Sequence, residues 1–396
     1  MSGSVSRRDF LKIGAGAGLA ATLATQRARA AAKPAKGEPM RVAFIGVGGR
    51  GSSDLNNVLK CEGVEVVAIC DITPANLKRA LDTVEKRTGK RPEGIGDYPY
   101  AYRQLLTRKD LSAVVIATPC YWHEVMYGDA LNAGMNFYGE KPLAITAGGV
   151  KAVQEAAKNN PKAVVQIGFQ WGAAPARRDI IKKVHEGLIG ELLDGRFQRL
   201  NDWDGHGGWY THRDQSGDWM LEQAVHEFNL MWMVTQTHPV SCYAAGRSGI
   251  IPGRDTTNYY TAIFQYPEKL KNLVLHYSHG WIEVPGFTKM GGLRTEFVGT
   301  KGALDVMGSF AQLREKGPDG KTRVEGQGGD GDTQEHFENF FECVRNGTPE
   351  KANCGIENGV GASYIGLLIR TSLEKGRPVT LEETLQDTRK VPVPPV

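Results

Sequence analysis

The stretch from Arg41 to Asp71, RVAFIGVGGRGSSDLNNVLKCEGVEVVAICD, constrains the fold more than any other part of the chain. An apolar run, Val42 to Ile45, reads as a buried parallel strand and stops at Gly46. Gly46-Val47-Gly48-Gly49-Arg50-Gly51 then fits G-x-G-x-x-G, a helical segment follows, and a second apolar run, Val64 to Ile69, leads to Asp71. The pattern is a βαβ unit carrying a dinucleotide fingerprint. Gly46 permits the tight turn, Gly48 lets a pyrophosphate approach the backbone, and Gly51 lets the helix pack close to the strand. Gly49 and Arg50 open the helix, whose free N–H groups face the phosphates. Asp71 lies 20 residues beyond Gly51, where a carboxylate binds the ribose 2′-OH of NAD and repels a 2′-phosphate.

Strand-like and helical stretches alternate as far as residue 168. Thr73-Pro74 starts a helix to about Lys86, a short strand lies near Tyr98, and LSAVVIA (Leu111 to Ala117) is another buried strand. Met135 to Tyr138 and Ala163 to Ile167 complete the set, with helices from His123 and Ala147 between them. Such alternation predicts a doubly wound parallel sheet, whose ligands bind at the carboxyl ends of the strands. Gly46 to Gly51, Asp71, Thr118-Pro119 and Glu140-Lys141-Pro142 all fall at such ends. Beyond Trp171 the rhythm changes. A helix is expected over Trp219 to Thr235, and strand-like runs then follow one another through turns from Ser241 to Met307, as in an antiparallel sheet. Helices near Thr333 to Arg345 and Ile356 to Glu374 are expected to return toward the first domain. The division this implies is 1–30 leader, 31–39 linker, 40–168 dinucleotide-binding domain, and 169–396 substrate-binding and oligomerisation domain.

The leader combines Arg7-Arg8 with Phe10-Leu11-Lys12, a Gly/Ala-rich apolar stretch and Ala28-Arg29-Ala30. These are the elements of a Tat-type export signal cut after Ala30 or Ala32, so the Tat translocase is an expected partner and the periplasm, or another exported location, the destination. The apolar stretch is too short to serve as a stable membrane anchor. The formal net charge is +4, and residues 1–30 account for all of it with five cations against Asp9. The rest of the chain is balanced and gives no reason to expect a nucleic-acid partner. Its six cysteines form no C-x-x-C pair and no close Cys/His cluster, so no metal site is expected. A Cys343–Cys354 bridge stays open in an oxidising compartment.

GVGGRG, ICD, ATPCYWHEVMYGDALNAGMNFYGEKPLA, Val225-His226-Glu227-Phe228-Asn229 and GTKGAL at 299–304 together resemble the glucose–fructose oxidoreductase / inositol dehydrogenase / MocA family. The resemblance spans nearly all of the chain after the leader. It implies a Rossmann domain followed by an α/β domain on an open, mostly antiparallel sheet. It also implies a homodimer or homotetramer formed through that sheet, and hydride transfer at a secondary alcohol of a sugar or cyclitol. In that family the Lys of E-K-P and an Asp/His pair surround the reacting carbon. The Lys falls on Lys141 and the His on His226. Glu222 stands at the Asp position, one methylene longer, and Asn229 where relatives often have an acid.

The residues support the same site. Glu222 and His226, spaced i, i+4, are expected to share one helix face. Alcohol oxidation needs a base for the hydroxyl proton, a role suited to His226, and a cation such as Lys141 stabilises the developing alkoxide. Thr118, Pro119, His123 and Glu140 are expected to edge the nicotinamide pocket. Trp203, His206, Trp209, Tyr210 and Arg213 form a candidate sugar-binding loop, with Asn229 as a further substrate contact. Arg177 reads as a helix surface charge, and His336 as a residue that could reach the site. Three functions follow in order. The first is an exported oxidoreductase with tightly held NAD, NADP being the family's other choice. The second is an NAD-dependent glycosidase working by transient oxidation and elimination. The third is a non-catalytic sugar-binding protein.

Overall fold

A computed structural model describes residues 37–201, 207–284, 291–317, 320–331 and 333–395; the leader, Trp203 and His206 lie outside the described residues. The first half is built from β1 (Met40–Ile45), α1 (Gly49–Val58), β2 (Val64–Cys70), α2 (Pro74–Thr88), β3 (Glu93–Ile95), α3 (Arg103–Leu106), β4 (Ala113–Ile116), α4 (Cys120–Asn132), β5 (Asn136–Gly139), α5 (Ala147–Asn159) and β6 (Val165–Ile167). The strands form a six-stranded sheet, ordered β3-β2-β1-β4-β5-β6 and parallel throughout. This is the doubly wound Rossmann arrangement that the alternation predicts. Tyr98 falls in a turn beyond the third strand, and the helix expected from His123 begins three residues earlier, at Cys120.

The glycine-rich turn has the stereochemistry its sequence requires. Gly46 sits at φ +85°, and a Cβ there would stand 2.7 Å from the Ala117 carbonyl oxygen. A Cβ on Gly51 would stand 2.2 Å from the Gly46 carbonyl oxygen, so only glycine lets α1 approach the strand end.

The second half contains α6 (Gln170–Ala173), α7 (Pro175–His185), β7 (Leu192–Leu200), a 3₁₀ turn (Gly208–Thr211), α8 (Arg213–Ser216), α9 (Trp219–Glu222), α10 (Val225–Thr235), β8 (Ser241–Ser248), β9 (Thr257–Gln265), β10 (Val274–Gly280), β11 (Gly292–Gly299), β12 (Gly302–Asp305), β13 (Phe310–Leu313) and β14 (Arg323–Glu325). Then come α11 (Thr333–Asn346), α12 (Ile356–Lys375), β15 (Val379–Thr380) and α13 (Leu381–Leu385). The nine strands make one open sheet, β14-β13-β12-β11-β7-β10-β9-β8-β15, antiparallel except where β7 pairs with β10. Alternation along the strands buries Phe197, Phe264, Leu275 and Tyr277 on one face and leaves Tyr243 and Ile263 exposed on the other.

The two sheets share helices. The phenylalanines 337, 340 and 341 of α11 join Val42, Phe44 and Tyr138 in one buried cluster, so a late helix covers a face of the first sheet. The long helix α12 is buried from Gly359 to Ser372 and packs against α10, α5 and β8. All six cysteines are free and buried, and no Cys343–Cys354 bridge forms: Cys343 packs with the α11 phenylalanines, while the Cys354 sulfur lies 3.6 Å from the Phe169 carbonyl oxygen.

The close approach at Gly51 has a direct test. Gly51→Ala overpacks the turn, at a cost of about 1–3 kcal/mol. Thermal denaturation should show a lower Tm together with reduced dinucleotide content; an unchanged Tm would contradict the packing described.

Candidate active site

The glycine-rich turn, Asp71, Thr118 and Glu140-Lys141 converge at the carboxyl ends of β1, β2, β4 and β5, as expected for a parallel sheet. The residues present fit a dinucleotide. A Cβ on Gly49 would meet nothing within 4 Å, and one on Gly48 only the Asn76 amide at 3.9 Å, so the backbone is open where a pyrophosphate would lie. Asp71 accepts the Val47 N–H on Oδ2 and the Thr73 N–H on Oδ1, each at 2.8 Å. These bonds aim the carboxylate while leaving a lone pair on each oxygen for ribose hydroxyls.

Arg50 is tied into the protein. Its Nε donates to Glu140 Oε1 at 2.8 Å and Nη2 lies 3.0 Å from the fully buried Asp54. Gln170 Nε2 donates to the same Glu140 oxygen at 3.1 Å. Burial opposes the Arg50 charge, but Glu140 and Asp54 more than offset it and its pKa rises. Burial beside Glu140 pushes Asp54 up, although Arg50 opposes this. The expected cofactor contact therefore also fastens the glycine-rich turn to E-K-P.

The neighbouring residue faces the other way. Lys141 Nζ donates to Glu222 Oε1 at 2.6 Å and also to the Glu222 carbonyl oxygen. Burial would lower the Lys141 pKa, but the Glu222 carboxylate leaves it raised. Glu222 and His226 do not share one helix. The expected helix is broken: α9 ends at Glu222, α10 begins at Val225, and the Ala224 N–H returns to the Trp219 carbonyl. The break frees the Glu222 carbonyl for Lys141. His226, in the first turn of α10, has Nδ1 buried without a partner among the described residues. Its ring lies 5.1 Å from Trp171 and edge-on to Phe169 at 6.0 Å. Burial, then the charges of Lys141 and Arg199, hold its pKa well below the ordinary value. The imidazole is therefore neutral near pH 7 and competent as a base.

Tyr210 joins this group. Its ring stacks on Trp209 at 3.8 Å, and burial with the nearby Glu222 charge pushes its hydroxyl pKa up. Five other expectations need correction. Arg213 Nη2 donates to the Asp255 carbonyl at 2.6 Å, and its guanidinium lines a separate cavity with Asp218. Asn229 is buried where α10 meets α12, accepting from Asn358 Nδ2 at 2.8 Å, so it braces helices. His123 is buried and spans the Pro142 carbonyl (Nδ1, 2.7 Å) and the Thr118 carbonyl (Nε2, 2.9 Å), tying the loops after β5 and β4 together. Arg177 is no surface charge, since it is buried and donates to the Val306 and Met307 carbonyls at 2.9 Å. His336 sits in the core, with Nε2 3.1 Å from the Ile167 carbonyl oxygen and Nδ1 3.0 Å from Gln166 Nε2.

Sequence reasoning missed Arg199. It pairs with the buried Glu227 at 2.5 Å and stacks 4.6 Å over Trp171, the ring that neighbours His226. With its amide turned to suit its neighbours, Gln223 joins Arg199 to Glu222 Oε2 at 3.2 Å. A signal was present, for Arg199 occupies the inward-facing phase of LDGRFQRL, two residues after the buried Phe197.

Comparison with known proteins agrees with this architecture. Residues 40–169 match the model of the oxidoreductase family with an NAD-binding Rossmann fold, and residues 178–305 match the GFO/IDH/MocA C-terminal domain. Residues 4–24 match the twin-arginine translocation signal sequence, so the chain carries a signal for export. The chain belongs to the GFO/IDH/MocA family of oxidoreductases. It is similar to the alpha-N-acetylgalactosaminidase of Shewanella oneidensis and to a glycosyl hydrolase family 109 protein of Shewanella baltica, each 32% identical over 216 residues. That match covers 50% of this chain and 47% of each relative, so the chain spans about half the length of these curated relatives. Among solved structures, levoglucosan dehydrogenase in complex with NADH and L-sorbose is 19% identical with a TM-score of 0.71, covering 87% of this chain and 99% of that one. Apo scyllo-inositol dehydrogenase from Lactobacillus casei is 20% identical with a TM-score of 0.67, over 87% and 99% of the two chains.

The buried histidines make stability pH-dependent. Burial takes His336 down to about 4, so the unfolded chain binds its proton first as pH falls. Its contribution is intact above about pH 6.5 and is lost on acidification toward the folded value. Denaturant titrations at pH 7.5 and 5 should differ by about 2 kcal/mol from this residue alone. His336→Gln should reduce the difference; an unchanged pH dependence would refute the assignment.

Proposed function

We propose that this chain is an exported enzyme that transfers hydride between NAD and a secondary alcohol of a sugar or cyclitol. One observation carries the reading: Lys141, paired to Glu222, and the neutral His226, whose Nδ1 has no hydrogen-bond partner among the described residues, stand beside the strand ends that hold the glycine-rich turn. NAD, when bound, supplies the hydride acceptor. Gly48, Gly49 and Asp71 would hold it. His226 takes the hydroxyl proton, and Lys141 stabilises the negative charge that develops on the substrate oxygen. Glu222 fixes Lys141 through two oxygens, and Trp209 and Tyr210 offer an aromatic face to the sugar. Lys141, His226 and Glu222 are the catalytic residues of this reading. The NADH-bound levoglucosan dehydrogenase, which shares the fold, supports NAD as the cofactor. Export in the folded state favours a cofactor that stays bound, because outside the cytoplasm there is no pool to replenish it.

A second reading, a redox-neutral glycosidase, is favoured by the glycosidase names of the Shewanella relatives. Here the oxidation is transient: elimination of the aglycone, addition of water and return of the hydride close the cycle with no net redox change. The open face of the nine-stranded sheet, with Tyr243, Ile263 and Val274 exposed, is the surface through which we propose the chain forms a homodimer or homotetramer. Light scattering should then give a multiple of the monomer mass, and a strict monomer would refute it.

Denatured mature protein should release NAD; release of NADP alone would overturn the role given to Asp71, and no dinucleotide would count against both enzymatic readings. Free sugars and nitrophenyl glycosides offered without added cofactor separate the two. Reduction of bound cofactor by a free sugar supports the dehydrogenase, whereas nitrophenol release with no lasting change at 340 nm supports the glycosidase. Lys141→Ala and His226→Ala should each lower turnover by about 10²-fold or more while dinucleotide remains bound; near-normal activity in both would sink the assignment.

A further inference from the structure

A cavity of about 100 Å³ lies among α8, β8, β9 and α12, lined chiefly by Arg213, Asp218, Arg247, Ser248, Thr257 and Arg370. Neither Lys141 nor His226 borders it. Its acids already have donors. Asp218 accepts from the Thr257 N–H (2.9 Å), the Thr257 hydroxyl (2.7 Å) and the Trp219 N–H (2.7 Å). Glu374, also on the wall, takes both arms of Arg389 at 3.0 and 2.9 Å.

Three guanidinium nitrogens on this wall have no hydrogen-bond acceptor among the described residues. Arg370 is 3% exposed, and its Nη1 donates to the Ile145 carbonyl at 2.7 Å. Its Nε and Nη2 are buried with no hydrogen-bond partner among the described residues, and the Asp387 carboxylate stands 3.9 Å from Nη2, beyond hydrogen-bonding reach. Arg213 Nε is likewise buried without a hydrogen bond among the described residues, although it ion-pairs with Asp218 Oδ2 at 3.4 Å. Burial brings the Arg370 pKa down to about 10, with the Arg389 charge adding to the effect. Leaving a buried charged donor unsatisfied is costly. The shortage here is of acceptors, at donors on α8 and α12, and β8 adds Arg247 and Ser248 to the lining.

We propose that this cavity binds a small tetrahedral oxyanion, phosphate or sulfate, through Arg370, Arg213, Arg247 and Ser248. By liquid volume (about 30 Å³ per water) the space holds about three water-sized groups, and donors from three elements suit a tetrahedral acceptor better than a planar one. The exposed Arg247 stands at the rim, where an anion can enter and leave. Arg213 and Asp218 belong to the segment that runs from Tyr210 to Glu222, so a bound anion braces that segment from behind.

The test is calorimetric titration of the mature protein, freed of phosphate and sulfate, at constant ionic strength set with chloride. Phosphate or sulfate should bind saturably at one site per chain. Loss of a charge-assisted bond in Arg370→Met or Arg247→Met should weaken this about tenfold. Should Arg370→Met fail to fold, the exposed Arg247→Met carries the test. Absence of saturable binding, or binding unaltered in Arg247→Met (an adventitious ion only), would overturn the site. Acetate binding as tightly as phosphate would overturn the tetrahedral assignment.

Discussion

Two adjacent side chains at the end of β5 hold this protein's candidate site together by pointing in opposite directions. Glu140 reaches back to Arg50 and so to the glycine-rich turn, while Lys141 reaches across to Glu222 in the second half of the chain. Neither link could stand alone. Buried charges are tolerated only when paired, and removing one partner leaves the other desolvated and uncompensated. Through this dipeptide, the place where a dinucleotide would lie and the place where a substrate would lie are fixed relative to one another.

The surroundings reinforce that constraint. His123 clasps the loops after β4 and β5, Gln170 supports Glu140, and Arg177 holds the Trp171 carbonyl. Trp171 in turn lies between Arg199 and His226. Burial in this aromatic setting keeps His226 neutral beside a cation, which suits a proton acceptor. The same desolvation that keeps the imidazole unprotonated makes the Lys141–Glu222 pair necessary. The oxyanion cavity follows a related rule, for the Arg370 guanidinium is buried there with fewer acceptors than its donors require.

The Rossmann half was legible because its signals are local. Gly46, Gly51 and Asp71 serve their purposes within one βαβ unit, and the apolar runs of β1, β2, β4 and β5 are long enough to announce buried strands. The later residues were harder. Asn229 and Arg213 looked like substrate contacts, yet one braces two helices and the other faces a different cavity. Glu222 and His226 looked like one helix face, whereas a break in the helix between them provides the geometry. Arg199 could have been noticed as a charge in a strand's inward phase, but nothing in the sequence said that Glu227 and Trp171 would receive it.

The sequence by itself determined the parallel sheet and the glycine-rich turn, through periodicity and backbone requirements that only certain residues meet, and the leader, through its twin-arginine motif. Lys141 and His226 were singled out by the resemblance to the family, not by periodicity. Tertiary structure decided which polar side chains face the site and which brace the core. That choice depends on partners distant in sequence: 81 residues separate Lys141 from Glu222, and 90 separate Arg50 from Glu140. Burial sets the cost of leaving any such group unpaired, and burial is a property of the packed chain, not of its local sequence.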